Sequence, residues 1–334
     1  LDVVGTISGS ALNINGEGDV RGTLRIDTNT YGERDSGTGL IVYERAAFMS
    51  GATLSGQLLI KTNGDPGTPP SGNLYVYAKE LAGRALLKAK GPSGLDYAYQ
   101  PSLFQNSIAA WFPASGTTAG SVFGWAFTSA GTVSHPALAS TNILTQMRRT
   151  RWASATTSNA VGGIYNNTTV CWRGNAAGLG GFFFFARFGQ NVNTNGARAF
   201  VGLSAKTTHV VSAEPSAAID SIGMGYDSTD SSGGNWQLMT NDSTGTATKT
   251  DLGSDAARNT TSIFDLFLFA APNSSTIGVR IVNVTTNTVV YDGTLSSDLP
   301  TSTAFLRGHA GGGPAATATA QNFELNRLYL ETDQ

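Results

Sequence analysis

The sequence predicts an all-β protein, and three observations lead to that prediction. Charged residues make up only 13% of the 334-residue chain, whereas long surface helices need many Glu and Lys residues. Glycine occurs 41 times, which suits strands joined by tight turns. Short apolar segments recur about every 10–15 residues through the C-terminal part. We therefore expect an intertwined N-terminal stalk of short strands, a neck hairpin, and an antiparallel β-sandwich head of the jelly-roll type.

Residues 1–70 form the predicted fibre stalk, which is the oligomerisation region. Three segments place two aliphatic residues two positions apart, the spacing of a half-buried strand. They are Leu12-Asn13-Ile14, Leu24-Arg25-Ile26 and Leu58-Leu59-Ile60. Ordering the backbone costs about 1–2 kcal/mol per residue, and these segments bury little apolar surface within one chain. The stalk is therefore either disordered or buried against other chains, and the regular Leu-x-Ile pairs favour the second outcome.

Residues 71–106 form the predicted neck or linker. Leu74–Ala78 and Ala85–Ala89 flank a turn, so we expect a hairpin there. The stretch Gly91–Asn106 follows and carries apolar side chains that a flexible tether lacks; these are Leu95, Tyr97, Tyr99, Leu103 and Phe104. We interpret this stretch as a packed neck. The alternative is an ordinary interdomain loop with a few buried aromatic residues.

Residues 107–334 form the predicted β-sandwich head. About eleven strand candidates are separated by turn signals, and no convincing amphipathic helix interrupts them. The candidates are Val122–Thr128, Ile164–Arg173, Phe182–Phe188, Ala199–Leu203, Ile219–Tyr226, Trp236–Asn241, Ile263–Ala271, Thr276–Val284, Thr288–Thr294, Thr303–Leu306 and Asn322–Glu331. The strongest turn signals are Gly233-Gly234-Asn235, Pro272-Asn273-Ser274 and Gly311-Gly312-Gly313-Pro314. This pattern is typical of an all-β sandwich or jelly roll.

Two segments of the head are apolar on both faces, Phe182–Phe185 and Phe264–Phe269. Each fully buried Phe contributes about 2–3 kcal/mol, so these segments supply much of the core. We expect them in the middle of the sandwich, or with their second face covered by another subunit.

Composition excludes several classes of function. The net charge is −2, and the short basic trio of Arg148, Arg149 and Arg151 is expected in a solvated loop, so we expect no nucleic-acid partner. No apolar run reaches ~18 residues, so we expect no membrane insertion. Cys171 is the single cysteine and lies in an alternating strand pattern. We therefore expect a buried core thiol and no disulfide within the chain.

A pattern of glycine, aromatic and charged residues runs through the neck. The positions that carry it are Gly72, Leu74, Tyr75, Lys79, Ala82, Gly83, Arg84, Gly91, Pro92, Ser93, Gly94, Asp96, Gln100, Pro101 and Trp111. This segment resembles one that recurs in tail-fibre and other adhesin-like structural proteins of tailed bacteriophages. The resemblance implies a phage structural protein. It does not specify the head, because the segment precedes different C-terminal heads.

The C-terminal part carries a second resemblance. Its segments are Ile222–Asp227, Trp236–Asp242, Lys249–Gly253, the strand around Phe267, Asp298–Pro300 and Leu328–Glu331. They resemble the concanavalin-like, laminin-G-like jelly rolls that cap some phage fibres. The resemblance implies a two-sheet antiparallel sandwich, in which glycan ligands often meet the concave sheet or the loops at one end.

The sequence shows no constellation of catalytic or metal-binding residues. The three histidines lack metal-ligand spacing, and we expect structural or surface roles for them; they are His135, His209 and His309. A glycan depolymerase needs two carboxylates facing a groove. The nearest candidates are Asp227 with Asp230 and Asp242 with Asp251, and most of these stand in turn contexts, where Asp bonds its own backbone. We expect no enzyme activity, no cofactor and no metal.

Exposed aromatic rings can pack against the apolar face of a pyranose ring. The tryptophans are Trp111, Trp125, Trp152, Trp172 and Trp236. Trp125, Trp172 and Trp236 fall in strand patterns that favour core packing, whereas Trp152 follows the arginine trio in a predicted loop. The carbohydrate-binding residues that we predict are Trp152, Tyr226, Asp227, Trp236 and Asp242.

These observations together predict a non-enzymatic fibre protein on the surface of a phage particle, in a tail or capsid fibre. Its expected partners are two further copies in a homotrimer, other virion proteins at the N-terminal end, and a bacterial surface glycan. Three heads that bind together raise the affinity by a factor of about 10²–10⁴ over that of a weak single site. One alternative is a structural head fibre, capsid decoration or baseplate protein without receptor binding. The other is a tailspike polysaccharide depolymerase.

Overall fold

A computed structural model describes residues 66–67, 69–70, 73–90, 107–114, 121–123, 126–167, 171–177, 179–230, 234–315 and 319–332. The predicted stalk, apart from residues 66–67 and 69–70, and the predicted neck Gly91–Asn106 lie outside these residues. Both therefore stay predictions. Within the described residues, no helix has the length and apolar character needed to cross a membrane.

Antiparallel strands make up nearly all the regular structure of the described residues. The strands are β1 (Tyr75–Leu81), β2 (Arg84–Lys90), β3 (Ser107–Phe112), β4 (Ser121–Phe123), β5 (Phe127–Ala130), β6 (Thr132–Ser134), β7 (Thr150–Ala153), β8 (Gly162–Asn166), β9 (Phe182–Gln190), β10 (Ala197–Ser204), β11 (Ser221–Tyr226), β12 (Gln237–Asn241), β13 (Thr248–Asp251), β14 (Ile263–Ala270), β15 (Ile277–Asn283), β16 (Thr288–Leu295), β17 (Arg307–Pro314) and β18 (Asn322–Thr332). One short helix, α1 (Ile143–Gln146), is capped by the Asn142 side chain. Short 3₁₀ turns occupy Val210–Ser212, Pro215–Ala217 and Ser254–Ala256.

The head is a sandwich of two antiparallel sheets, which confirms the predicted sandwich for the described residues. The first sheet has seven strands in the order β13-β12-β11-β10-β17-β8-β5. The second has nine strands, with the path β16-β15-β14-β9-β18-β3-β4 and with β7 pairing with β18 and β6. Strands β1 and β2 form a separate hairpin, close to the position that the sequence predicts.

The core lies between the inner faces of the two sheets. The phenylalanine-rich strands β9 and β14 pair with each other, and β9 also pairs with β18. They therefore lie in the middle of the nine-stranded sheet, as predicted. Phe184, Phe188 and Phe264 point inward and are at most 1% exposed. Cys171 is also buried, and burial raises the pKa of its thiol, so the predicted core thiol is confirmed.

The run Gly311-Gly312-Gly313-Pro314 is a buried strand end, so the turn predicted there is wrong. It belongs to β17, which lies between β10 and β8. A Cβ on Gly311 would stand 2.8 Å from the carbonyl oxygen of Gly162, and one on Gly313 would stand 2.0 Å from that of Ala160. The glycines are needed for close approach of neighbouring backbones, a use that the sequence does not distinguish from a turn.

Gly163→Ala is expected to destabilise the protein strongly, because Gly163 faces β17 at the same close approach. A Cβ there would lie 2.3 Å from the Ala310 carbonyl oxygen and 2.5 Å from the Gly311 Cα. Forcing these backbones apart should cost about 1–3 kcal/mol, measured by urea unfolding. Gly67→Ala is the matched control, since nothing lies within 4 Å of its added Cβ. Equal unfolding midpoints for the two variants would contradict this account.

Two members of the arginine trio, Arg149 and Arg151, do not lie in a solvated loop, which corrects a second prediction; Arg148 is exposed in a loop, as predicted. Strand β7 pairs with β18, and Arg151 stands opposite Glu324 in that register. The Nε atoms of Arg149 and Arg151 donate to the two carboxylate oxygens of Glu324, at 2.6 and 2.5 Å. Arg149 is only 3% exposed, so two guanidinium groups enclose one buried carboxylate.

Several predicted strand boundaries differ from the structure. The segment predicted as Val122–Thr128 contains the separate strands β4 and β5, which belong to different sheets. Thr303–Leu306 is not a strand, and only Leu306 forms an isolated bridge, with Cys171. Strands β3, β6, β7, β13 and β17 are absent from the predicted set. The first four have only three to six residues, too few for a clear apolar alternation.

Candidate functional site

The three aromatic residues predicted to bind carbohydrate are core residues. Trp152 lies on β7, is 0% exposed and donates its Nε1–H to the Ser129 hydroxyl at 2.8 Å. Tyr226 and Trp236 are each 1% exposed and pack edge to face. A ring that is buried on all sides cannot stack on a sugar, so the structure corrects these three assignments.

The predicted Asp227 belongs to a closed ion-pair network. Its carboxylate accepts from Lys249 Nζ at 2.7 Å and from the backbone N–H of Ser216 at 3.0 Å. Lys249 also contacts the Asp230 carboxylate at 3.1 Å. These contacts raise the pKa of Lys249 against the opposing effect of burial, which is the largest single influence on that group. Asp227 is 4% exposed, and both of its carboxylate oxygens are already bonded.

Asp242 stabilises a turn at the other end of strands β11 and β12. Its carboxylate accepts from the backbone N–H of Thr244 at 2.7 Å and from the Thr244 hydroxyl at 2.9 Å. This is the local bonding expected of Asp in a turn. The register places Asn241 opposite Ser221, at the start of β11, whereas Asp227 follows its end. The structure therefore does not bring the predicted site residues together.

Arg258 is a buried cation that the sequence prediction missed. It is 4% exposed, and its guanidinium carbon lies 4.2 Å from the centre of the Tyr226 ring. Its Nη2 donates to the Asp230 carbonyl oxygen at 3.2 Å, while Nε and Nη1 have no acceptor. An isolated Arg in a turn region gives no sequence signal, because only the fold brings Tyr226 and Asp230 to it.

A loop covers part of the outer face of the seven-stranded sheet. Val210, Val211 and Ala218 pack on Phe200, which projects from β10. The buried Arg198 on the same strand donates its Nε–H to the Val211 carbonyl oxygen at 2.8 Å. The loop is therefore held by apolar contact and by a charge-assisted hydrogen bond.

Two histidines, His209 of this loop and His309 of β17, contact the Tyr165 ring. The His309 ring stacks on the Tyr165 ring at 5.6 Å between centroids, and the His209 ring meets it edge-on at 4.8 Å. Burial lowers the pKa of His209 to about 4, with a smaller contribution from Lys206. Burial, followed by the His209 charge, lowers the pKa of His309 to about 3. Both rings are structural and neutral near pH 7, as predicted for these residues.

An aromatic row crosses the outer face of the nine-stranded sheet. Phe267, Phe185 and Tyr329 stand opposite one another on the neighbouring strands β14, β9 and β18, and all three are half-buried. The rings of Phe185 and Phe267 stack at 4.9 Å. Phe112 continues this face and is 42% exposed. The row presents apolar surface next to the site where the hairpin meets the sandwich.

The turn of the β1–β2 hairpin contacts the sandwich. Ala82 and Gly83 form the turn with φ of 54° and 85°, which fits the two-residue turns that match strand twist. The Ala82 carbonyl oxygen lies so close to Gly278 of β15 that a Cβ there would be 1.8 Å away. Gly278 is therefore required for the hairpin to reach the sheet.

Arg84 also attaches the hairpin to the sandwich, through an ion pair with Glu331. Its two terminal nitrogens donate to the two carboxylate oxygens of Glu331 at 2.7 and 2.6 Å. The guanidinium also lies over the Phe183 ring, 4.9 Å from its centre. Bidentate pairing combined with ring contact gives a geometrically specific attachment.

One aromatic pair reaches the surface at an end of the sandwich. Trp172 is half-buried and Phe305 is 55% exposed, with their ring centroids 5.4 Å apart. Trp172 was expected in the core. It stays near the surface because the strand predicted around it ends earlier, with β8 at Asn166.

The described residues contain no group of three or more His, Cys, Asp or Glu side chains that could hold a metal ion. The Asp227–Asp230 region illustrates the reason, since both carboxylates are bound to Lys249. The expectation that the protein has no metal and no cofactor stays a prediction.

No protein-family model matches the chain, and no curated protein matches it. Solved structures with similar folds include a protein of unknown function from Shewanella oneidensis MR-1, with 13% identity over 68% of this chain and 86% of that chain, at a TM-score of 0.45. Peanut lectin matches with 11% identity over 68% and 97%, at 0.41. A carbohydrate esterase from the Shiga toxin-encoding bacteriophage phi24B matches with 13% identity over 63% and 90%, at 0.35. These similarities carry no argument about function, and the fold class rests on the strand order described above.

Proposed function

We propose that this chain is a non-enzymatic virion fibre protein of a tailed bacteriophage that attaches to a glycan on the bacterial surface. Its β-sandwich is the attachment head, and the chain acts as a homotrimer. The N-terminal end joins other virion proteins. A trimer presents three heads at once, so weak single-site binding is amplified by avidity.

The hairpin contact is the observation that carries this proposal. Ala82, Gly83 and Arg84 belong to the segment that resembles phage fibres, and these same residues contact the sandwich. A fibre must fix its head to the chain that precedes it, and the Arg84–Glu331 pair supplies such a fixed joint.

Light scattering and a glycan array test the proposal on the full chain. We expect a mass near three times 34.7 kDa and binding to at least one bacterial surface glycan. The exposed Trp172–Phe305 pair offers the aromatic surface for a pyranose ring. Phe305→Ala should therefore weaken glycan binding, while Leu138→Ala, at a site that is 64% exposed, should leave it unchanged. Equal binding by both variants would remove the aromatic pair from the account.

Asp227→Asn and Asp242→Asn test the non-enzymatic part of the proposal. Both carboxylates are occupied, by Lys249 and by the Thr244 turn respectively. We expect no release of reducing ends from host polysaccharide by the unmodified protein or by either variant. Turnover by the unmodified protein that either substitution abolishes would establish the depolymerase alternative.

The aromatic row on the nine-stranded sheet favours a second candidate, a structural virion protein without receptor binding. Rings that stack on each other at 4.9 Å present apolar edges that suit a protein interface. In that case Phe185→Ser would disrupt assembly with a neighbour, and no glycan would bind. A Phe185→Ser protein that keeps both its mass and its glycan binding would contradict this candidate.

A further inference from the structure

Arg258 carries a positive charge that the described residues leave largely unpaired. The residue is 4% exposed, yet among the described residues its guanidinium donates only to the Asp230 carbonyl oxygen, at 3.2 Å. Burying a cation without a partner is costly, by several kcal/mol. Unsatisfied buried groups in a native protein call for a specific explanation such as a bound ion.

Several donors around Arg258 lack an acceptor. Tyr226 lies under the guanidinium and donates its O–H to Gln190 Oε1 at 2.7 Å. Gln190 Nε2 and Trp236 Nε1 are buried and have no partner, like Nε and Nη1 of Arg258. Gln190 and Trp236 both contact Tyr226, so the unsatisfied donors are gathered around one ring. An excess of donors beside a cation favours an anionic acceptor.

The nearby carboxylates do not supply that acceptor. Asp227 and Asp230 both bind Lys249, and Asp230 meets Arg258 through its backbone carbonyl. Burial lowers the pKa of Arg258, with Tyr226 and Asp230 acting in the opposite direction. The side chains of Lys249 and Asp230 keep 26% and 21% of their surface exposed. Asp230, whose carbonyl oxygen accepts from Arg258, therefore reaches the protein surface.

We propose that Arg258 is a binding site for a carboxylate, and that the carboxylate belongs to an acidic sugar of the host-surface glycan. Its Nη2 carries two hydrogens and Asp230 uses one of them. A two-donor edge, Nη2 with Nε or Nη2 with Nη1, is therefore left for a planar carboxylate. The sugar part of this inference rests on the proposed glycan-binding function, whereas the carboxylate part rests on Arg258 alone.

This site is distinct from the Trp172–Phe305 pair. In the register of the seven-stranded sheet, Tyr226 pairs with Ala199 at one end of β10. Arg307, which follows Phe305 by two residues, pairs with Ser204 at the other end. The effects of substitutions at Arg258 and at Phe305 on binding can therefore be measured independently.

The test is a titration of the full chain with sodium glucuronate, using glucose, sodium acetate and sodium chloride at matched ionic strength as comparisons. Tryptophan fluorescence and the thermal midpoint report binding, because Trp236, one of five tryptophans, packs on the Tyr226 ring that Arg258 covers. We expect saturable binding of glucuronate, weaker binding of acetate, and none of glucose. Arg258→Lys should reduce glucuronate affinity about tenfold or more, since one charge-assisted hydrogen bond is lost.

Two further variants keep the test decisive. Arg280→Lys, at an exposed pair with Asp292 on the other sheet, should bind glucuronate like the unmodified protein. Arg258→Met removes the buried charge, and if Arg258→Lys fails to fold, the Met variant carries the comparison. Unchanged glucuronate affinity in the Arg258 variants, or no saturable effect in the unmodified protein, overturns the proposal.

The outcomes also separate this inference from the proposed function. If acetate binds as tightly as glucuronate, the inference that the ligand is an acidic sugar is overturned, and the carboxylate site is supported. Array binding of neutral glycans without any glucuronate effect overturns the Arg258 site and supports the attachment function. Glucuronate binding at Arg258 with no bacterial glycan bound on the array supports the site and contradicts the attachment function.

Discussion

Glu324→Ala should destabilise the protein by about 3–5 kcal/mol, the range for breaking a buried ion pair by removing one partner. Glu324 is 1% exposed and holds Arg149 and Arg151 with hydrogen bonds of 2.6 and 2.5 Å. Without it, Arg149 stays buried without a carboxylate. The pair also joins β7 to the long strand β18. Urea unfolding at pH 7 measures the effect.

Arg280→Ala is the matched control for this prediction. Arg280 pairs with Asp292, whose side chain is 49% exposed, and such surface pairs contribute about 0–1 kcal/mol. A loss after Glu324→Ala no larger than the loss after Arg280→Ala would show that the buried pair does not hold β7. Glu324→Gln removes the charge but keeps a hydrogen-bond acceptor. We expect its loss of stability to lie between the losses of Glu324→Ala and Arg280→Ala.

Acid should destabilise the protein through two histidines, His209 in the loop and His309 in β17. Their folded-state pKa values, about 4 for His209 and about 3 for His309, lie below the unfolded value of ~6.5. The unfolded state therefore binds more protons below pH ~6.5, and stability falls as the pH drops toward 3. Lys206 repels either ring when it is charged, and Arg307 repels a charged His309. We expect a loss on the order of a few kcal/mol between pH 7 and pH 4, with both rings contributing.

Urea midpoints at pH 7 and pH 4 measure this loss. His309→Phe removes one of the two titrating groups and should reduce the pH dependence in that window. His135→Gln is the control, because His135 is half-buried beside the Thr150 hydroxyl, away from the loop. The account fails if His309→Phe and the unmodified protein lose the same stability between the two pH values.

Much of the sandwich could be predicted from local sequence pattern. The phenylalanine-rich segments indicated strands buried on both sides, and β9 and β14 lie in the middle of a sheet. The turn between β1 and β2 followed from glycine placement. Gly311–Pro314 could not be assigned in this way, because turns and close backbone approach require the same residue. Only the pairing of β17 with β8 and β10 distinguishes them.

Most of the candidate site could not be predicted from the sequence, because the burial and contacts of its residues depend on parts of the chain far away. Burial decides whether a tryptophan can stack on a sugar, and the burial of Trp152 depends on strand β18, which follows it by about 170 residues. Arg258 becomes notable only because the fold places it over Tyr226 without a carboxylate. Long-range contacts of this kind leave no local pattern.

Glycan binding by the full chain tests the central claim most directly. A bacterial surface-glycan array, read together with the native mass of the same sample, measures attachment and assembly at once. We expect a trimer that binds at least one bacterial glycan, and we expect its affinity for that glycan to fall when the trimer is dissociated into single chains. A stable trimer that binds no glycan on the array would contradict the attachment function and support a structural virion protein.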